Sequence, residues 1–458
     1  MSRKHILKTR DDKAPVEFED SGKDGNFKLV KDAECSWMGP VTEFGPEKLR
    51  PRIEPWLTAL FQSEHLALLA GSGLSQAVHY LATGRLLPGM STATFSNYNA
   101  AISDKARESA ELAGRKSGNF EDQIRVVNEL IRGLEILLSE EPTLKESLAS
   151  VQDELKTVLR TFADSVLRGE NGLITAPREK REGAFNYLVS FLMSFASRTG
   201  TRDRLQLFTT NYDRFIEAGA DAAGLHLIDR FVGSLAPIFR SSRLDIDMHY
   251  NPPGIRGEPR YLEGVARFTK LHGSLDWINT EAQIRKIGLP FGSEQIEPYL
   301  KAPGLNDGEA LNLMIYPNSA KDRETAAFPY VELFRDFAAA VCRPNSTLVT
   351  FGYSFGDEHI NRVIEDMLTI PSTHVVIISY DDPLGRIMQT YEKLGRPAQI
   401  TLLIGAHLGD LRNLVDNYMP KPAIDRTTFK MSELLKSRWG TSKAESAPPA
   451  LESDPANE

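Results

Sequence analysis

Short apolar runs alternate with longer stretches in which apolar residues recur every three or four positions, and this rhythm predicts a layered α/β chain. His65–Ala70 reads HLALLA, as a strand buried on both faces would. A helix over 51–62 leads into it, and the run ends in Gly71-Ser72-Gly73, with Ser75 suited to cap a following helix. From about 100 to 197 the period becomes helical: Ile124, Val127, Ile131 and Leu134 fall on one face, as do Phe185, Leu188, Val189 and Leu192. The strand pattern resumes at 205–208. Residues 222–330 are less regular, with strand candidates at 267–271 and 312–316. From Phe334 the alternation is clean: helix, strand Ser346–Phe351, helix, strand His374–Ser379, helix, strand 399–404, helix. Such alternation makes a parallel, Rossmann-like sheet with helices on both faces.

The expected organisation is therefore one large α/β domain over 46–419, carrying a helical insertion at about 100–197. It is preceded by a charged arm, 1–45, and followed by an extension, 420–458. The arm has few apolar anchors (Val16, Phe18, Phe27, Leu29, Val30) and is expected to order only by packing on something, a partner included. The Ser/Ala/Pro/Glu tail beyond about 440 is expected to be disordered.

Composition narrows the function classes. With 41% hydrophobic and 25% charged residues the chain reads as globular, and its net charge of −8 argues against direct, sequence-specific nucleic-acid binding. Two cysteines, Cys35 and Cys342, are too few for a disulfide framework or a four-cysteine zinc site, so no metal is expected. The basic start lacks the apolar run of a signal peptide and no stretch suits a membrane span, so a reduced cytoplasm is the expectation.

Four polar turns follow buried strands, where ligands are met in open α/β sheets. Gly71, Ser72, Gly73 and Ser75 could let a backbone and a helix N-terminus approach a phosphate. A strand–glycine–helix turn also serves packing, and no third glycine stands at dinucleotide-fingerprint spacing. Thr209-Thr210-Asn211-Tyr212-Asp213 offers an amide and a carboxylate, although Asp213 could merely cap the next helix. Lys270-Leu271-His272-Gly273-Ser274 places a histidine at a third strand end, as a base, a ligand or a structural group. The run from Phe351 to Asn361 (FGYSFGDEHIN) passes through Gly352 and Ser354 into a helix that Asp357 could cap; His359 and Asn361 could equally face a neighbouring loop.

In this order the four motifs resemble the sirtuin family, whose members carry Gly-Ala-Gly-x-Ser, Thr-Gln-Asn-x-Asp, His-Gly and Gly-Thr-Ser. This chain reads Gly-Ser-Gly-Leu-Ser, Thr-Thr-Asn-Tyr-Asp, Leu-His-Gly-Ser and Gly-Tyr-Ser. It looks most like the divergent prokaryotic sirtuin-like branch, over roughly residues 60–415. The four zinc cysteines are lacking, Thr210 replaces the motif glutamine and a helical insertion is added. These departures weaken a deacylase reading more than an NAD-binding one.

The resemblance implies NAD as substrate, hydrolysed to nicotinamide and ADP-ribose. Asn211 would hold the ribose or orient water, His272 would act as base, and Asp213 would position the nicotinamide end. Gly71, Ser72, Gly73 and Ser75 would bind the pyrophosphate, with Thr209 beside them. Gly352 and Ser354 would hold the ribose-phosphate side, and Ser379 the adenosine side. It further implies a homo-oligomeric anti-phage effector, triggered within a complex with a HerA-type ATPase because no second sensing domain is evident after 415. A non-catalytic NAD- or ADP-ribose-binding regulatory subunit and a protein deacylase remain the alternatives.

Overall fold

The apolar runs form the strands of one sheet in a computed structural model that describes residues 4–421, except 10, 23–24, 31–32, 34, 40–42, 90–91, 113–117, 198–201, 251–259, 281–282, 303, 306–312 and 314–327. Two units are distinguished, residues 1–420 and 421–458; of the second, only Lys421 is among the described residues, so the expected disordered tail lies outside them.

The sheet's strands are β1 (Lys4–Lys8), β2 (Val16–Asp20), β3 (Phe27–Leu29), β4 (Glu43–Phe44), β5 (His65–Ala70), β6 (Leu205–Thr209), β7 (His226–Ile228), β8 (Val265–Lys270), β9 (Ser346–Phe351), β10 (His374–Ser379) and β11 (Ile400–Ile404). Their spatial order is β4-β3-β2-β1-β11-β10-β9-β5-β6-β8-β7. Strands β5 to β11 run parallel, which makes this the α/β, Rossmann-like sheet expected. The chain leaves β5 toward β6 on one side and later returns to β9 on the other. The topological reversal therefore falls beside β5, and a crevice at the carboxyl ends of the strands is expected there.

The principal helices are α1 (Pro46–Phe61), α2 (Ser72–Thr83), α3 (Asn99–Leu112), α4 (Phe120–Leu137), α5 (Lys145–Thr175), α6 (Arg178–Ala196), α7 (Phe215–Ala223), α8 (Tyr330–Val341), α9 (Glu358–Leu368), α10 (Arg386–Leu394) and α11 (Leu411–Asn417). Strand alternation divides the core into two layers. Leu66, Leu68 and Ala70 of β5, Val349 and Phe351 of β9, and Val376 and Ile378 of β10 pack with α1, α2, α6, α7 and α11. Ala67, Leu69, Leu348, Val375 and Ile377 point the other way, into α8, α9 and α10. A strand sandwiched in this way has no solvent face, which is why its sequence lacks polar alternation.

The segment expected to be an arm packs on its own chain. Strand β1 pairs antiparallel with β11, Ile6 opposite Ile404, and β2 to β4 extend the sheet outward by hairpins. His5 stacks on Phe18 at 5.1 Å between ring centroids, and Asp12 binds Arg52 of α1 at 3.1 Å. Few apolar anchors suffice because strand pairing supplies backbone hydrogen bonds that composition does not report.

The stretch expected as a helical insertion forms α3 to α6. Helices α3, α4 and the first half of α5 share a core of Ile102, Phe120, Ile124, Val127, Val151, Leu155 and Leu159. Helix α5 continues for 31 residues, roughly 46 Å at the standard rise, and its middle packs with Tyr212, Leu275 and Leu289. Two expected boundaries shift. Helix α1 begins at Pro46, because proline is at home in a first turn. Helix α2 begins at Ser72, with extended Gly71 (φ −93°, ψ −172°) as its N-cap, so Ser75 lies inside the helix rather than capping it. The expected strand at 312–316 lies outside the described residues except Leu313, which bridges Ile278. No described helix is long and apolar enough to cross a membrane.

Candidate functional site

Strand register puts the four motifs side by side. Phe351, Ala70, Thr209 and Lys270 are successive partners across β9, β5, β6 and β8, so the next residues of all four strands emerge at one edge. There they line a cleft of about 360 Å³. Gly71, Ser72, Ser75, Asn211, Asp213, His272 and Ser354 are on its walls, alongside Thr210, Tyr212, Tyr353, Gly356 and Asp357.

Four other residues expected as ligand contacts are placed away from the cleft lining. A Cβ on Gly73 would lie 2.5 Å from the Cα of Gly352, and one on Gly352 (φ +60°) 2.5 Å from the Cα of Gly73. The Gly73 amide donates to the Gly352 carbonyl at 3.1 Å. These two glycines let the β5 and β9 turns touch backbone to backbone, and neither lines the cleft. Thr209 is buried, its hydroxyl donating to Ala70 O at 2.8 Å and accepting from the Asn211 amide at 3.0 Å. Ser379 donates to Asp381 O at 2.7 Å, one strand beyond the cleft. Gly73, Gly352, Thr209 and Ser379 thus shape or support the edge instead of lining the cleft.

Asn211 is held firmly. Its Nδ2 donates to Gly71 O and to Ser75 Oγ, both at 2.9 Å. The carbonyl opposite can only accept, which identifies the nitrogen and leaves Oδ1 as the group the amide can offer a ligand. Ser75 in turn hydrogen-bonds Asp213, whose carboxyl burial pushes above its usual range against the pull of Lys270. Asp213 also accepts from the Phe215 amide at 3.2 Å, so it braces the start of α7 while facing the cleft. Below, buried Lys270 donates to Asp213 O at 2.5 Å and pairs with Glu217 at 3.0 Å.

His272 is 7% exposed, and its Nε2 lies 2.7 Å from Asp357 Oδ2. Asp357 occupies the N-cap position of α9, but its carboxylate makes no capping bond. Tyr353 Oη lies within hydrogen-bond reach of Asp357 O (3.2 Å) and Asn361 Oδ1 (3.1 Å), and Asn361 Nδ2 donates to Phe355 O at 3.0 Å. Asn361 is therefore a brace for the turn, while His359 meets the ring of Phe334 edge-on at 6.1 Å.

Sequence reasoning missed the far wall. The insertion contributes Asn119 and Glu121 from the start of α4, and Phe162, Ser165 and Val166 from α5. Tyr212 reaches across to Glu121 (3.4 Å) and meets Phe162 edge-on. Arg386, first residue of α10, is the one guanidinium among the lining residues; a Cβ on Gly356 would sit 2.9 Å from its Nη1. An arginine opening the helix after the next strand was the available signal for it. The insertion's contribution carries no local signal, because its distance in sequence hides its approach. Among the described residues no cluster of three or more His, Cys, Asp or Glu side chains stands ready to hold a metal ion.

The geometry offers an amide oxygen, an imidazole and the carboxyl groups of Glu121, Asp213 and Asp357, next to a helix N-terminus and an arginine suited to anionic groups. A comparison with curated proteins finds no match. Residues 206–396, which run from β6 to α10 and carry Asn211, His272, Asp357 and Arg386, match the family model of the SIR2-like domain, and this supports a sirtuin-like family for the chain.

Proposed function

We propose that the cleft takes NAD as substrate and hydrolyses its nicotinamide–ribose bond. The observation that carries this reading is the convergence of Asn211 and His272, from adjacent parallel strands, on one cleft at the reversal point of the sheet. Helix α2, by the positive end of its dipole at Ser72, and Arg386 would receive the diphosphate. As the C1′–N bond breaks, nicotinamide leaves with the electron pair as a neutral molecule and positive charge develops on the ribose. The oxygen of water bonds to C1′ and its proton passes to His272, giving ADP-ribose, nicotinamide and one proton overall. Asn211 Oδ1 would hold a ribose hydroxyl or the water, and Asp213 would face the nicotinamide end.

The side chains that α4 and α5 add to the cleft lining favour water over an acetylated peptide as acceptor, since they occupy wall that a peptide groove would leave open. The test is nicotinamide release from NAD by the purified chain, alone and with the product of its neighbouring gene. Release without peptide supports hydrolysis, whereas release only with acetyl-lysine peptide supports deacylation. Tight NAD binding without turnover, unchanged by His272→Ala, supports a regulatory subunit.

From the resemblance we further propose a cytoplasmic, homo-oligomeric anti-phage effector that depletes NAD when activated, with a HerA-type ATPase as partner. Co-purification with that ATPase and a fall in cellular NAD during infection, abolished by Asn211→Ala, are the expected results.

A further inference from the structure

We infer that Asp357 is the positioning residue for His272, fixing the imidazole so that Nε2 carries the hydrogen and Nδ1 is the nitrogen that takes up the proton. This deepens the NAD-hydrolysis reading and rests on it for the reaction, although the tautomer itself can be tested without turnover.

The argument begins with the 2.7 Å contact between His272 Nε2 and Asp357 Oδ2. An ionised carboxylate has no proton to give, so the ring nitrogen facing it must carry one, and a neutral imidazole then keeps its lone pair on Nδ1. Both residues are buried, so water competes weakly for either.

The placement of Asp357 supports an assignment beyond packing. At the N-cap of α9 its backbone is extended (φ −107°, ψ 105°), as a capping aspartate's would be, yet the side chain turns from the helix amides to the histidine. The turn that presents it is held by Tyr353 and Asn361, with Phe355 in the left-handed region at φ +53°. A carboxylate diverted from its local partner and braced from two sides is arranged for the residue it meets.

Among the described residues, other charged or titratable groups near the pair come from separate elements: Tyr212 and Asp213 after β6, Glu121 of α4, Tyr330 of α8, Tyr353 after β9 and Arg386 of α10. Burial holds Tyr212 and Tyr353 well above the ordinary tyrosine range, so their hydroxyls stay neutral. Asp357 Oδ2, at 2.7 Å, is the carboxylate oxygen that Nε2 meets.

Histidine-nitrogen NMR on the full chain, with the His272 signals identified by loss in His272→Gln, reads the tautomer directly. An unprotonated Nδ1 and protonated Nε2 is the expected result; a protonated Nδ1 in the neutral ring overturns the proposal. Kinetics supply the second arm. Asp357→Asn removes the charge that favours the imidazolium while keeping the size of the side chain. It should lower kcat at least about tenfold, leave KM within about twofold and move the acidic limb of the kcat/KM profile to lower pH. Wild-type kcat with an unmoved limb, or a change in KM alone, overturns it. If the wild-type chain releases no nicotinamide, the hydrolysis reading fails while the NMR result still decides the tautomer.

Discussion

Arg214, which follows the Asn211–Asp213 turn, grips Glu170 of α5 through its backbone amide (2.9 Å), its Nε (3.1 Å) and its Nη2 (2.6 Å). Nη1 and Nη2 also donate to the carbonyls of Leu289 and Pro290 respectively. Glu170 is fully buried, so this clamp locks the insertion's long helix to the strand end that carries the site. Removing one partner would strand the other's charge in the interior. Glu170→Ala should therefore lower unfolding free energy by about 3–5 kcal/mol in denaturant titrations. Ligand affinity should fall with it, because the turn loses its anchor.

Asn211 carries two loads. Asn211→Ala should abolish turnover and also destabilise the chain by about 1–2 kcal/mol, since Gly71 O and Ser75 Oγ lose their donor. Asn211→Asp should be at least as damaging, because it sets a carboxylate oxygen against the Gly71 carbonyl. Comparing nicotinamide release with urea unfolding for both variants separates the roles; a fully stable Asn211→Asp would contradict the hydrogen-bond assignment.

The glycine contact gives an effect at a distance from the ligand. Gly73→Ala or Gly352→Ala introduces a methyl where 2.5 Å separates it from backbone, so the β5 and β9 turns must part. A loss of at least about 1–3 kcal/mol is expected, together with weaker binding of ADP-ribose in calorimetry. Wild-type affinity in a folded Gly352→Ala would show that the close approach is dispensable.

Acid sensitivity should arise where the N-terminal hairpin meets the parallel sheet. Burial, aided by neighbouring His5, lowers the His407 pKa from 6.5 to about 4, and its Nε2 lies 2.7 Å from Tyr418 Oη. The unfolded chain takes up this proton near 6.5 and the folded chain only near 4. The contribution is thus complete above 6.5 and is lost as pH falls toward 4. Denaturant titrations between pH 7 and 4 should show this decline, and His407→Gln should flatten it.

Much of the fold was readable without coordinates, because strands buried on both faces and helices buried on one must carry their periods openly. His65–Ala70, Ser346–Phe351 and His374–Ser379 appear where their apolar runs place them. The motif turns were legible for the same reason, as polar residues following buried runs.

What remained hidden depends on partners distant in the chain. Whether Gly73 and Gly352 touch a phosphate or each other is decided by how closely β5 and β9 approach. Whether Asp357 caps α9 or meets His272 is decided by strand register. Whether the insertion stands apart or walls the cleft follows from Glu170 reaching Arg214. Local pattern reports which side of an element is buried, since burial acts on each residue separately. It does not report against what, because that contact forms only when segments tens or hundreds of residues apart are packed together.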